Sequence, residues 1–185
     1  MADLRYPVGQ FQWTEPASEE QSAKNRATYI ETLTRLPGQM RSAVQDLRPE
    51  QLETPYRPEG WTVRQVVHHV PDSHMNAYIR FKLALTEEQP AIKTYKEADW
   101  ARLADNDITP IDVSLHLLAA LHSRWVDLLG AMRPSTFGRT LYHPEHGVLT
   151  LDRMLALYAW HSSHHLAHIT SLRERMGWNT RAVAG

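Results

Sequence analysis

The stretch "TLDRMLALYAWHSSHHLAHITSLRERM", residues 150–176, decides the fold. Set at about 100° per residue, its large apolar residues from Leu151 to Met176 gather on one side, so it reads as a long amphipathic helix that Gly177 ends. Four histidines sit within it. By the same construction His165 lies about 20° from the mean apolar direction, His161 about 60°, His168 about 80° and His164 about 120°. His161 and His165 therefore continue the 3-4 spacing of Met154, Tyr158, Ile169 and Leu172 and belong to the buried stripe.

Three more helical segments lie upstream. Ser18 with Gln21 is a capping-box signal that opens a helix running to about Leu47, with a break expected at Pro37-Gly38. Thr62 with Gln65 opens another, from Trp61 to about Leu85, which Pro71 is expected to interrupt. Thr109 before Pro110 reads as an N-cap followed by proline at the first helical position, and Ile111, Leu115, Leu118, Leu121, Trp125, Leu128 and Met132 keep helical spacing. Between these segments, residues 1–17 read as an extended arm and "RPEQLETPYRPEG" as a connector. "YKEADWARLADND" reads as loop with a short helix, and "FGRTLYHPEHGVLT" as a short hairpin or loop. Four long helices with little strand predict an all-α fold, a four-helix bundle forming one domain over residues 1–185.

Composition removes several classes of function. A formal charge of -1 gives no electrostatic basis for binding nucleic acid or an anionic membrane. No apolar run approaches the roughly 20 residues that span a bilayer, and the start "MADLRYPVGQFQW" lacks the order of a signal peptide, so a cytoplasmic location is expected. There are no cysteines, so any metal must be held by histidine and carboxylate. Six tryptophans read as core and interface anchors.

Two histidines at i and i+4 stand one turn apart on one side of a helix, a separation that a single divalent ion can bridge. The alternative for His161 and His165 is hydrogen bonding to polar groups in the core. "VVHHVPDSH" offers a third ligand among His68, His69 and His74. Val63, Val66, Val67 and Val70 set a core direction about 110° from His69 and about 150° from His68, whereas His74 lies nearest the apolar centre of the whole helix. Thr62, His69, Ser73, Asn76 and Arg80 form a polar stripe beside that face. It is either solvated or the lining of a wet cavity, with Arg80 placed to hold an anionic group.

"PYRPEGWTVRQVVHHVPDSHMNAYIRFKLALTE", "FGRTLYHPEHGVLTL", "LYAWHSSHHLAHITSLRERMGW" and the N-terminal "LRYPVGQF" closely resemble the YfiT branch of the DinB-like superfamily, described as metal-dependent hydrolases. The resemblance covers nearly the whole chain. It implies a four-helix bundle, a homodimer, and a divalent ion, zinc first and nickel second, held by His69, His161 and His165. Asp72, His68, His74, His164 and His168 are then neighbours of the ligands or surface residues. Three neutral imidazoles leave a coordination position for a reactant, which suits activation of water for hydrolysis of a small substrate. Relatives in the wider superfamily imply a second chemistry, activation of a low-molecular-weight thiol such as bacillithiol for S-transfer. Arg80, Tyr142 and His143 are the candidates for binding or proton donation in either case. A third reading is a non-catalytic metal-binding dimer, its site closed by Asp72, His74 or a loop residue.

Overall fold

The Ser18 hydroxyl accepts a hydrogen bond from the Gln21 N–H and starts α1 (Glu19–Val44). The computed structural model describes residues 3–178, and in it α1 runs unbroken through Pro37 and Gly38, contrary to the break expected there. Proline withdraws a single N–H, the one that would bond the carbonyl four residues back. That carbonyl, of Leu33, accepts instead from His122 Nδ1 at 2.6 Å, and the buried residues Leu33, Leu36 and Met40 hold the helix on both sides of the proline.

A short α2 (Pro49–Leu52) lies in the connector before α3 (Val63–Thr86). Thr62 and Gln65 form the expected reciprocal capping box. Pro71 does not interrupt α3, because Val66, Val67 and Val70 before it and Ala77 and Phe81 after it are all packed into the core. The polar segment that follows forms α4 (Glu97–Trp100) and α5 (Ala104–Ile108). In α6 (Ile111–Ala131) the cap position is Pro110, and Thr109 instead ends α5, its N–H bonded to the Asp105 carbonyl. A residue before proline is driven toward extended backbone, and Thr109, at ψ 128, leaves no hydroxyl cap on α6.

After a 3₁₀ turn (Pro134–Gly138), β1 (Thr140–His143) and β2 (Gly147–Thr150) pair antiparallel, from Thr140 opposite Thr150 to His143 opposite Gly147. Gly147 takes φ 69 at the turn, a left-handed conformation that costs glycine little. Thr150 then caps α7 (Leu151–Arg175) by accepting from the Arg153 N–H, and Gly177 follows the helix at φ 65.

The four long helices pack in a ring in which α1 touches α7 and α6, and α3 touches α6 and α7. Two of the three pairs of consecutive long helices, α1 with α3 and α6 with α7, therefore stand across the bundle, while α3 and α6 are neighbours. This order makes α3 and α7 neighbours. The core has two parts, one around Leu33, Phe81, Trp125 and Leu155, the other around Leu36, Met40, Val67, Leu118 and Ile169. His74, His122 and His161 sit where one part gives way to the other along α3, α6 and α7. No helix among the described residues is long and apolar enough to cross a membrane.

Candidate metal centre

His69 projects from α3 toward α7, where His161 and His165 stand one turn apart. Each of the three offers a ring nitrogen within 4.8 Å of the other two. His69 Nε2 and His161 Nε2 are 3.3 Å apart, and the His165 ring meets His69 and His161 edge-on at centroid distances of 4.7 and 4.4 Å. Trp61, just before the cap of α3, lies against the His69 ring and parallel to that of His165.

The donor set fits a divalent ion. Four-coordinate zinc with Zn–N bonds of about 2.05 Å places its ligand nitrogens about 3.3 Å apart, the separation observed between His69 and His161. Coordination also requires neutral imidazole. Burial pushes His69 down to about 4 and drives His161 and His165 well below the ordinary value, and the neighbouring histidines lower all three further.

The other histidines of α3 and α7 take different positions around the centre. His74 makes direct contact with the centre, its Nε2 3.1 Å from His161 Nδ1, so that nitrogen does not point at the ion as a fourth ligand would. His68 bonds Ser114 of α6 through Nδ1 at 2.7 Å and takes no part. His164 and His168 lie well off the apolar stripe of α7, yet both are buried. The N-terminal arm and the connector cover them: His164 stacks on Trp160 with Tyr6 nearby, and His168 stacks on Tyr56 while donating to the Arg5 carbonyl. They could form a second ligand cluster with His165.

Asp72 does not join the centre. Its neighbour is Asp105 and it does not line the cleft, and burial followed by repulsion from Asp105 pushes its carboxyl up to about 6. Tyr142 is also misplaced by expectation: alternation along β1 buries Leu141 and His143 and leaves Tyr142 46% exposed, outside the cleft.

The three histidines open onto a cleft of about 720 Å³, within the range of small-molecule sites. Of the polar stripe on α3, His69, Ser73 and Arg80 line it, so this side of the helix faces a cavity. Arg80 is buried, bonding Tyr158 Oη at 3.4 Å and the Lys93 carbonyl at 3.0 Å, without a carboxylate in salt-bridge contact among the described residues. Ser73 Oγ comes within 3.4 Å of His161 Nε2. His143 is buried at the wall, its Nδ1 accepting from the Glu145 N–H.

Tyr95, Glu97 and Tyr158 also line the cleft and were not among the expected site residues. Tyr158 carried a signal, since it lies one turn before His161 on the same face, but its ring reads as core. Tyr95 lies in the irregular segment before α4 and Glu97 opens that four-residue helix, which is too short for periodicity to show which way its residues face. Desolvation raises the Glu97 carboxyl and Arg80 pulls it back down.

Comparison with known proteins agrees with this architecture. The model of the DinB superfamily matches residues 32–169. A protein of Bacillus mycoides (strain KBAB4) named "Putative metal-dependent hydrolase" is 54% identical over 96% of this chain and all of its own length. A protein of Bacillus anthracis (strain A0248) with the same name is 53% identical over the same shares. Among solved structures, YfiT from Bacillus subtilis superposes with a TM-score of 0.89 at 49% identity, covering 96% of this chain and 100% of its own. It is described as "a probable metal-dependent hydrolase with an unusual four-helix bundle topology". TT2238, a four-helix bundle protein at 18% identity, matches at a TM-score of 0.50 over 83% of this chain and 99% of its own, a likeness of fold alone.

Proposed function

The chain belongs to the DinB superfamily, and on that premise we propose that it is a metal-dependent hydrolase of a small substrate, with one divalent ion held by His69, His161 and His165. The observation that carries this reading is the 3.3 Å approach of two imidazole nitrogens from different helices, with the third histidine edge-on to both. Zinc is the first candidate and nickel the second, since imidazole suits both. Such an ion supplies Lewis acidity, lowering the pKa of a water toward about 7 and polarising the bond to be cut.

The remaining work falls to the chain's own side chains. Arg80, a buried guanidinium held by a phenol and a carbonyl, keeps donors free for an anionic group of the substrate. Ser73 Oγ, beside His161, can orient the nucleophile by hydrogen bonding. Glu97 and His143 at the cleft wall can hold or pass a proton, Glu97 aided by its raised pKa. Trp61 shields the ligand rings from bulk water on one side.

A second reading shares this centre: activation of a low-molecular-weight thiol, favoured by a cleft wide enough for such a cofactor and a cation at its wall. The homodimer belongs to the same proposal, with Val113 and Leu117, one turn apart and exposed on α6, as an apolar stripe for it.

The test is elemental analysis of the purified protein, followed by ester and amide panels and an electrophile panel, each with and without added thiol. Turnover without thiol, lost in His161→Ala together with the metal, is the expected result. Thiol-dependent turnover selects the transferase. Full metal content in folded His161→Ala overturns the ligand set.

A further inference from the structure

A line of hydrogen bonds crosses the bundle behind the centre. His122 Nδ1 lies 2.6 Å from the Leu33 carbonyl, His122 Nε2 lies 2.8 Å from His74 Nδ1, and His74 Nε2 lies 3.1 Å from His161 Nδ1. Its four members come from α1, α6, α3 and α7, one from each long helix.

We propose that this line is a proton-ordered relay in which His122 and His74 act as positioning residues, fixing His161 as the Nδ1–H tautomer with its Nε2 lone pair turned toward the metal centre. The proposal rests on His161 being a ligand, as argued above. The order follows from its fixed end. A carbonyl oxygen only accepts, so His122 Nδ1 must carry hydrogen. A neutral His122 then has a bare Nε2, to which His74 Nδ1–H donates. His74 Nε2 is bare in turn and accepts from His161 Nδ1–H, which leaves His161 Nε2 without a proton. Reversing the line would require the Leu33 carbonyl to donate. A second proton on either middle member would place a cation on a ring shut off from water, His74 being 0% and His122 2% exposed.

Pro37 leaves the anchor to His122 alone. Four residues after Leu33, an ordinary residue would spend its N–H on the Leu33 carbonyl, whereas proline leaves that oxygen to His122. The rings are held for this purpose by aromatic edges: Trp125 and Tyr158 stand perpendicular to His74, and Trp125 nearly so to His122. Ligating histidines in many metal sites donate their second N–H to a carboxylate, which strengthens the ligand. Here the partner is a neutral imidazole and the line ends on a backbone carbonyl. It orients His161 without adding negative charge, so the ion keeps more of its Lewis acidity.

The test is made on the full-length protein. With 15N-labelled histidine, long-range proton–nitrogen correlation in the metal-free protein should show His122, His74 and His161 all protonated at Nδ1 and bare at Nε2. Any of the three in the Nε2–H form at neutral pH overturns the relay. His74→Phe, which keeps a ring and removes both nitrogens, should weaken zinc binding 10- to 100-fold. His74→Gln, whose side-chain oxygen can accept from His161, should recover part of that loss. Zinc binding by folded His74→Phe at wild-type affinity overturns the proposal. Pro37→Ala gives the Leu33 carbonyl a second donor without touching the centre; it should weaken the His122 bond, read as an upfield shift of the His122 Nδ1 proton, and an unmoved proton counts against the anchor. If His74→Phe does not fold, the tautomers and Pro37→Ala still decide. Wild-type protein that binds neither zinc nor nickel sinks the metal reading alone, because the tautomers are read without metal.

Discussion

A divalent ion held by His69 from α3 and by His161 and His165 from α7 would tie two neighbouring helices together in the native state, a link that unfolding must break. Stability should therefore rise with free metal by RT ln(1 + [L]/Kd), which is about 2.7 kcal/mol at 100 times Kd and about 4.1 kcal/mol at 1,000 times Kd. For a chain of this length each kcal/mol moves Tm by about 2–4 °C, so zinc at 100 times Kd should raise Tm by about 5–11 °C. The assay is a thermal melt of chelator-treated protein across a zinc titration, repeated on His69→Ala, His165→Ala and His168→Ala. The rise should nearly vanish in His69→Ala, which leaves only one helix holding ligands, and in His165→Ala. His168→Ala should keep most of it. A full rise in His69→Ala with none in His168→Ala would refute the two-helix centre and move the ion to the His164, His165 and His168 cluster on α7 alone.

Three further outcomes follow from particular side chains. Arg80→Met should raise KM for carboxylate-bearing substrates about tenfold or more while changing neutral ones little, as steady-state kinetics on matched pairs would show; equal effects on both would remove Arg80 from substrate binding. The Asp72 carboxyl, raised to about 6 from 3.8, takes up protons on folding, so stability should fall as pH rises from about 4 to about 6; Asp72→Asn should flatten that slope and stabilise the protein by about 1 kcal/mol at pH 7, a value discounted for partial exposure, in denaturant melts across pH. Arg173, buried on α7, grips both oxygens of Asp46 and the Ala43 carbonyl; Arg173→Met should cost about 2 kcal/mol in urea unfolding at pH 7. That cost should shrink as pH falls through the lowered pKa of Asp46, below its ordinary 3.8, where the carboxylate is lost; a cost independent of pH would mean that packing alone carries it.

The four long helices, the caps at Ser18 and Thr62, and a hairpin or loop before the last helix were legible in the chain, because each depends on residues within a few positions of one another. The inward face of His161 and His165 was legible for the same reason. His69 was not: a single helical wheel assumes one inward direction, but α3 packs on α6 and on α7, and the His69 side faces α7 across a cleft. The polar stripe left it facing either solvent or a wet cavity, and the family resemblance made it a ligand. His164 and His168 read as off the core because the wheel sees α7 alone, and the arm and connector that cover them come from residues more than 100 positions away. Tyr142 faces away from the cleft because the side a strand residue takes is set by pairing with β2 and packing on the core, which four residues of sequence do not contain.

Sequence by itself determined which segments coil and which side of the last helix turns inward, since helical hydrogen bonds and their 3.6-residue period are local. Tertiary structure alone decided that α3 stands beside α7, that Pro37 leaves its helix whole by handing Leu33 to His122, and that three imidazoles meet at one point. Those are distances between elements, set by how four helices fill a common core, and no periodicity within one segment contains them.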